Sequence, residues 1–284
     1  MTFASIETLP KPHVSARRFG ARCVSMLTDD ALFEACGIRI AFTGREGGVS
    51  EGQYAALNLG THVDDDPAAV ERNRRIVLEA LGAPDAALVV PNQVHGDVLV
   101  PVPTADAAAL DAARTRAAAG ADGIVVHAPQ VAALLCFADC VPVIIASPTG
   151  RFAVVHAGWR GVMNGIAAAA ARALAQADAP ALGPAAARGY NVYLGPHIHA
   201  ECFEVSAELA VRFADRFGGA CVPEARHVDL HEALAAGLAE AGIDRARIAD
   251  AGVCTRCHLD RYFSYRATGG ACGRHGAVAF REAR

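Results

Sequence analysis

Between residues 123 and 158 four short apolar runs follow one another, IVVHA, VAALLCFA, VPVIIAS and FAVVHAG, each bounded by Pro, Gly or Asp. Runs of this length with no polar alternation read as strands buried on both faces. Strands of that kind cannot face water, so the chain must lay further structure over each side of them. A membrane span is a poor alternative: Val131 to Ala146 falls short of the ~18–20 residues required and is broken by Asp139 and Pro142.

The flanking sequence alternates strand-like and helix-like segments. IRIAFTG, from Ile38, reads as a strand and runs into the turn Arg45-Glu46-Gly47-Gly48. Asp66 and Pro67 suit the N-cap and first position of a helix that runs on to Gly82 as its C-cap. ALVVPNQVHGDVLVPV holds two short strands around Asn92–Gly96, and the alanine-rich stretch from Thr104 to Gly120 suits either a helix or a mobile loop. Helices are expected over Gly161–Ala177, Ser206–Phe217 and Leu230–Gly242, strands at YNVYLGPHI and AVAF, and strand plus turn at YFSYRATGG. Residues 1–22 are polar, hold two prolines and show no period, which predicts a poorly ordered extension. The expectation is therefore one α/β domain of mixed sheets over residues 23–284, with no linker or internal repeat.

The totals set bounds on function. A chain of 284 residues, 53% hydrophobic and 20% charged, can bury a sizeable core. Its net charge of −4 does not suit a general nucleic-acid binder, which needs a concentrated basic surface. Arg17-Arg18 and the arginines of 72–75 read as a solvated face. The nine cysteines are odd in number and no apolar signal segment opens the chain, so the thiols are read as reduced and the protein as cytoplasmic.

Three metal-competent residues stand where strands end: His95 in NQVHG, Cys140 closing CFADC, and His156 closing FAVVH before AGWRG. An apolar strand on one side and a turn on the other present a side chain at a rim. His and Cys ligands from separate strands suit zinc, with copper as the alternative, and three protein ligands leave a fourth position open, as in catalytic sites. Spacing alone serves equally well a reading in which the histidines are turn residues and Cys140 a core thiol.

FTGREGGVS (42–50), LNLGTHVDDDPAAV (57–70), PNQVHG (91–96), ADG (121–123), ADCVPV (138–143), VVHAGWRG (154–161), GPHIHAECFEV (195–205) and CT…YFSYR…GR (254–274) together resemble the YfiH-like laccase-domain family. The resemblance runs from about Ile38 to the C-terminus. It implies a layered α/β/β/α sandwich similar to CNF-type toxins, and a metal site at the positions of His95, Cys140 and His156. It also implies a purine nucleoside phosphorylase acting on adenosine, inosine and methylthioadenosine with phosphate, with an adenosine deaminase side activity. Zinc is the expected cofactor; the expected partners are nucleoside and phosphate, with no nucleic acid, no membrane and a monomeric state. Earlier descriptions of the family as copper-dependent polyphenol oxidases give one rival. A hydrolase or amidase with Cys140 as nucleophile and a cell-wall editing role gives another.

Deamination needs activated water at a ring carbon, and phosphorolysis needs an anion site. Arg45 beside Gly47-Gly48 and Arg160 beside Gly161 are the candidates for that anion site. The sequence departs from the family pattern at Gly44 (usually Thr), Cys136 (often Thr) and Ala267 (usually Arg). Cys136 lies four residues before Cys140 and reads as core if a turn separates them. Cys254-x₂-Cys257 and Cys272-x₂-His275 have zinc-knuckle spacing and admit a second zinc, against a reading as buried or incidental thiols. Cys202 and Glu204 are candidates for the pocket lining, and Trp159 for stacking on a base or packing on the sheet.

Overall fold

The structure is a computed structural model and describes residues 8–283. The early strands are β1 (Ser15–Phe19), β2 (Val24–Thr28), β3 (Ile38–Thr43), β4 (Ala87–Val89) and β5 (Leu99–Val102). The four apolar runs form β6 (Gly123–Val126), β7 (Val131–Phe137), β8 (Val141–Ala146) and β9 (Phe152–Ala157). The last strands are β10 (Asn191–Leu194), β11 (Ile248–Asp250) and β12 (His275–Arg281). The helices are α1 (Asp30–Cys36), α2 (Pro67–Ala80), α3 (Ala107–Ala118), α4 (Trp159–Asn164), α5 (Ile166–Leu182), α6 (Ala207–Phe217), α7 (Leu230–Glu240) and α8 (Tyr265–Thr268).

Two six-stranded mixed sheets result, in the orders β1-β2-β3-β12-β7-β4 and β11-β10-β8-β9-β6-β5. The alternation of side chains along β7 explains why its whole length is buried. Val131, Ala133, Leu135 and Phe137 point between the sheets, where they meet Ile144, Phe152 and Val154 of the second sheet. Ala132, Leu134 and Cys136 point outward beneath Ile76 and Val77 of α2. On the far side, Val143, Ile145 and Val155 pack under Ile166, Ala170 and Leu174 of α5 and Leu234 of α7. The layers run helix, sheet, sheet, helix, and each fully buried branched side chain stabilises them by about 1.5–3 kcal/mol.

The helix signals act as expected at α2, where Asp66 accepts from the Ala68 N–H and Pro67 opens the first turn. The alanine-rich stretch from Thr104 to Gly120 holds the helix α3, capped by Asp106. The single helix expected from Gly161 is instead two, α4 and α5, broken at Gly165 with φ +76°, a conformation that costs glycine little. YFSYRATGG is not strand: Ser264 caps the Ala267 N–H and Gly269 closes the short helix α8 in the left-handed conformation.

The expectation of an unordered N-terminus is corrected from Ser15 onward, since β1 pairs antiparallel with β2 from Ser15↔Thr28 to Phe19↔Val24. The core of β1 is exposed, so the strand carries no apolar signal and is held by its backbone ladder. Pro10 is also tied down, its carbonyl accepting from Asn191 and Arg247. Residues 1–7 of that expected extension lie outside the described residues.

Candidate active site

The register of the second sheet brings the candidate ligands together. Leu99 of β5 pairs with Gly123 of β6, Gly123 with Val155 of β9, and His156 with Pro142 of β8. The starts of β5, β6 and β8 and the end of β9 therefore share one edge. The loop before β5 carries His95, the turn before β8 carries Cys140, and β9 carries His156. Their ligand atoms all lie within 4.8 Å of one another, and the two imidazole rings meet edge to face at 4.8 Å between centroids.

Asp122, immediately before β6, organises this edge, and no spacing in the sequence marks it for that role. It is fully buried. Its carboxylate accepts the backbone N–H groups of Val94, His95 and Gly96 at 3.3, 3.0 and 2.7 Å. It also pairs with His156 Nδ1 at 2.8 Å, while its carbonyl accepts the His156 N–H at 2.7 Å. This bond fixes the ring and leaves Nε2 toward Cys140 and His95. His95 itself has φ +59°, a strained turn that the three amide bonds to Asp122 hold in place.

Burial alone would raise the Cys140 thiol, but the facing imidazoles of His156 and His95 outweigh it and bring it down to about 6. Burial would lower His156, yet the Cys140 sulfur and the Asp122 carboxylate lift it to about 9. A thiolate and two imidazoles at this separation are a donor set suited to zinc or copper. Gly158 closes the site: a Cβ there would stand 3.2 Å from His95 Cδ2 and 3.3 Å from Cys140 Sγ.

The three residues open into a cleft of about 350 Å³. Trp159, Phe203 and Tyr265 give it aromatic walls, and Arg160, Arg266, Arg274 and His62 give it cationic and polar ones. Arg160 stacks over Trp159 at 4.4 Å, and its guanidinium makes no hydrogen bond among the described residues. Arg266 and Arg274 are partly engaged, the first with the carbonyls of Cys202 and Glu204, the second with those of Cys272 and Gly273. Burial, with Arg274 nearby, pushes His62 down to about 4, so its ring is neutral at pH 7.

Other expectations divide. Arg45 does not line the cleft; its guanidinium donates to the carbonyls of Ala55 and Leu259 and lies over Phe263. Its turn is a close-packed corner, where a Cβ on Gly48 would fall 2.2 Å from the Ala56 carbonyl oxygen. Cys136 belongs to the outer face of β7, and the intervening turn at Asp139 (φ +88°) separates it from Cys140. Its thiol nonetheless borders the cleft, pushed up by burial to about 11. Glu204 is half exposed and pairs with Arg226, outside the cleft.

The zinc-knuckle spacing does not become a knuckle. Cys272 packs with Ala138 and Phe263, and His275 is buried between Phe137 and Tyr262, its imidazole pushed down to about 3 by burial. Cys254 and Cys257 meet Cys202 instead. His62, Asp122, Arg266 and Arg274 are the cleft and hub residues that sequence reasoning passed over. They sit within quoted motifs, but nothing in spacing says that those motifs share a wall.

Fold and site together define a layered α/β protein with a His/Cys/His centre at the sheet edge. The chain belongs to the YfiH-like laccase-domain family, described as multi-copper polyphenol oxidoreductase laccase, which it matches over residues 39–282. It is 37% identical over 241 residues to a purine nucleoside phosphorylase of Streptomyces coelicolor, covering 81% of this chain and 90% of that one. It is 32% identical over 250 residues to the purine nucleoside phosphorylase YlmD of Geobacillus stearothermophilus, covering 82% and 86%. The crystal structure of YlmD is similar at a TM-score of 0.78 and 29% identity, over 94% of this chain and 100% of that one. That of YfiH from Bacillus licheniformis has a TM-score of 0.77 at 26% identity, over 90% and 96%. No described helix is long and apolar enough to cross a membrane.

Proposed function

We propose that this chain is a purine nucleoside phosphorylase that cleaves adenosine, inosine and methylthioadenosine with phosphate, and deaminates adenosine as a side activity. The observation that carries the reading is the cleft itself, where the His95, Cys140 and His156 group faces Arg160 and an aromatic wall. In phosphorolysis a phosphate oxygen forms a bond to C1′ of the ribose. The C1′–N9 bond breaks, its electron pair stays with the purine, and the purine takes up a proton. Arg160, whose guanidinium has no hydrogen bond among the described residues, binds the phosphate, and Arg266 and Arg274 add positive charge to the same cleft. Trp159 and Phe203 offer flat surfaces to the purine. Neutral His62 offers a hydrogen bond to ribose or phosphate without adding charge.

His95, Cys140 and His156 would hold a zinc ion. When bound there, such an ion would supply Lewis-acid polarisation. Asp122 keeps His156 in the ligating tautomer, and the imidazoles keep Cys140 a thiolate. The test is incubation of zinc-replete protein with inosine and phosphate. Hypoxanthine and ribose 1-phosphate are expected, and their absence refutes the reading.

One observation favours a second reading. Cys140, His156 and Asp122 also form a thiolate–imidazole–carboxylate chain of the kind used in covalent catalysis. A hydrolase or amidase of this type would keep its activity after strong chelation and would be labelled at Cys140 by an electrophilic amide analogue. The phosphorylase reading requires the opposite outcome on chelation.

A further inference from the structure

A second group of metal-competent side chains lies outside the cleft. Glu201 and Cys202 end the turn after β10, and Cys254 and Cys257 stand in the segment between β11 and α8. Their four ligand atoms all lie within 4.8 Å of one another. Cys202 Sγ and Cys257 Sγ are 3.5 Å apart, and none of the three cysteines is in a disulfide. Two sulfurs bound tetrahedrally to one zinc ion at ~2.3 Å stand about 3.8 Å apart, so the thiols are already near ligating separation. The Cys254 sulfur accepts the backbone N–H of His199 at 3.5 Å, the kind of amide donor that supports a metal-bound thiolate. Cys202 and Cys254 are buried while Cys257 and Glu201 are exposed, which gives an ion a route in.

We propose that Cys202, Cys254, Cys257 and Glu201 form a second, structural zinc site, separate from the His95, Cys140 and His156 centre. Three thiolates and a carboxylate complete a closed tetrahedral set, the mark of a structural site, and soft donors select zinc over hard cations. The ion joins two segments far apart in sequence that both shape the cleft wall. Phe203 follows Cys202 into the cleft, and the Cys202 carbonyl accepts from Arg266. Thr255, next to Cys254, donates to Asp139, the neighbour of Cys140. The site thus clamps the wall that carries Phe203 and Arg266 and takes no part in bond making.

The experiment compares metal content in the full-length wild type, C140A and the double variant C254S/C257S, each loaded with Zn²⁺ and desalted. Differences between variants are the readout, because His197, His199 and Asp250 form a further metal-competent group nearby. C254S/C257S should hold about one zinc fewer than wild type, and so should C140A. After loading with Co²⁺, C140A should keep a thiolate charge-transfer band roughly three times as strong as that of C254S/C257S, which retains one thiolate. Should the double variant not fold, iodoacetamide mapping of the wild type decides: Zn²⁺ must slow alkylation of Cys202, Cys254 and Cys257 together. Equal zinc in wild type and C254S/C257S overturns the proposal. Alkylation indifferent to Zn²⁺, or a Cys202–Cys257 disulfide in freshly purified protein, overturns it too.

Discussion

The two cysteine-bearing groups use similar atoms in different company. At the sheet edge one thiolate faces two imidazoles, and a buried carboxylate fixes both the His156 ring and the loop that carries His95. In the loops after β10 and β11 three thiols converge on one another, with a single carboxylate beside them and no imidazole in the group. The first opens into a cleft with aromatic and cationic walls; the second is half buried and meets solvent. Ligand type therefore does not by itself assign chemistry. The number of protein ligands, and what supports them, separates a centre that can take a substrate from one that can only hold chain segments together.

The largest expected effect comes from removing the shared atom type at the sheet edge. Cys140→Ala should lower inosine phosphorolysis by about 10³-fold or more, since both the ligand and the negative charge opposite His156 are lost. Full activity in that variant, measured by hypoxanthine release, would collapse the distinction between the two groups.

Asp122→Asn is the next test. The amide cannot accept from all three loop N–H groups and His156 at once, so metal affinity at the cleft should fall by about 10–100-fold. Zinc competition with a chromophoric chelator reads this directly, and the zinc held by the three-thiol group should not move.

Arg160→Ala should raise the KM for phosphate by about tenfold, the scale of one charged hydrogen bond, while leaving zinc content unchanged. A change in kcat alone would remove Arg160 from the phosphate site.

The gentlest probe is pH. In chelator-treated protein, alkylation of Cys140 should follow a curve with its midpoint near 6, because the lowered thiol is ionised above that pH and protonated as pH falls through it. Cys136, pushed up to about 11, should stay unreactive across the same range. A midpoint near the ordinary cysteine value of about 8.5 would show that the imidazoles do not act on Cys140.

Much of the frame was legible because it rests on local rules. The unbroken apolar runs read as doubly buried strands and Asp66-Pro67 as a helix start, and the structure has both. The strand β1 was invisible because its partner is a backbone, not a core, and α8 because a Ser cap and a Gly stop fit within six residues of an aromatic run. His95, Cys140 and His156 were legible as candidates through the motifs around them. Arg45 looked equally placed for an anion and is held instead by two carbonyls.

The sequence by itself determined the doubly buried strands β6 to β9, which residues can ligate a metal, and which family the motifs resemble, since these follow from period, residue chemistry and order along the chain. Only the tertiary structure decided who meets whom. Strand register brought His95, Cys140 and His156 to one edge around Asp122, and the loops gave Cys254 and Cys257 to Cys202 in place of Cys272 and His275. Metal-ligand spacing along a chain fixes a site only where the chain is local, and both groups here are assembled from segments that pairing and packing carry together.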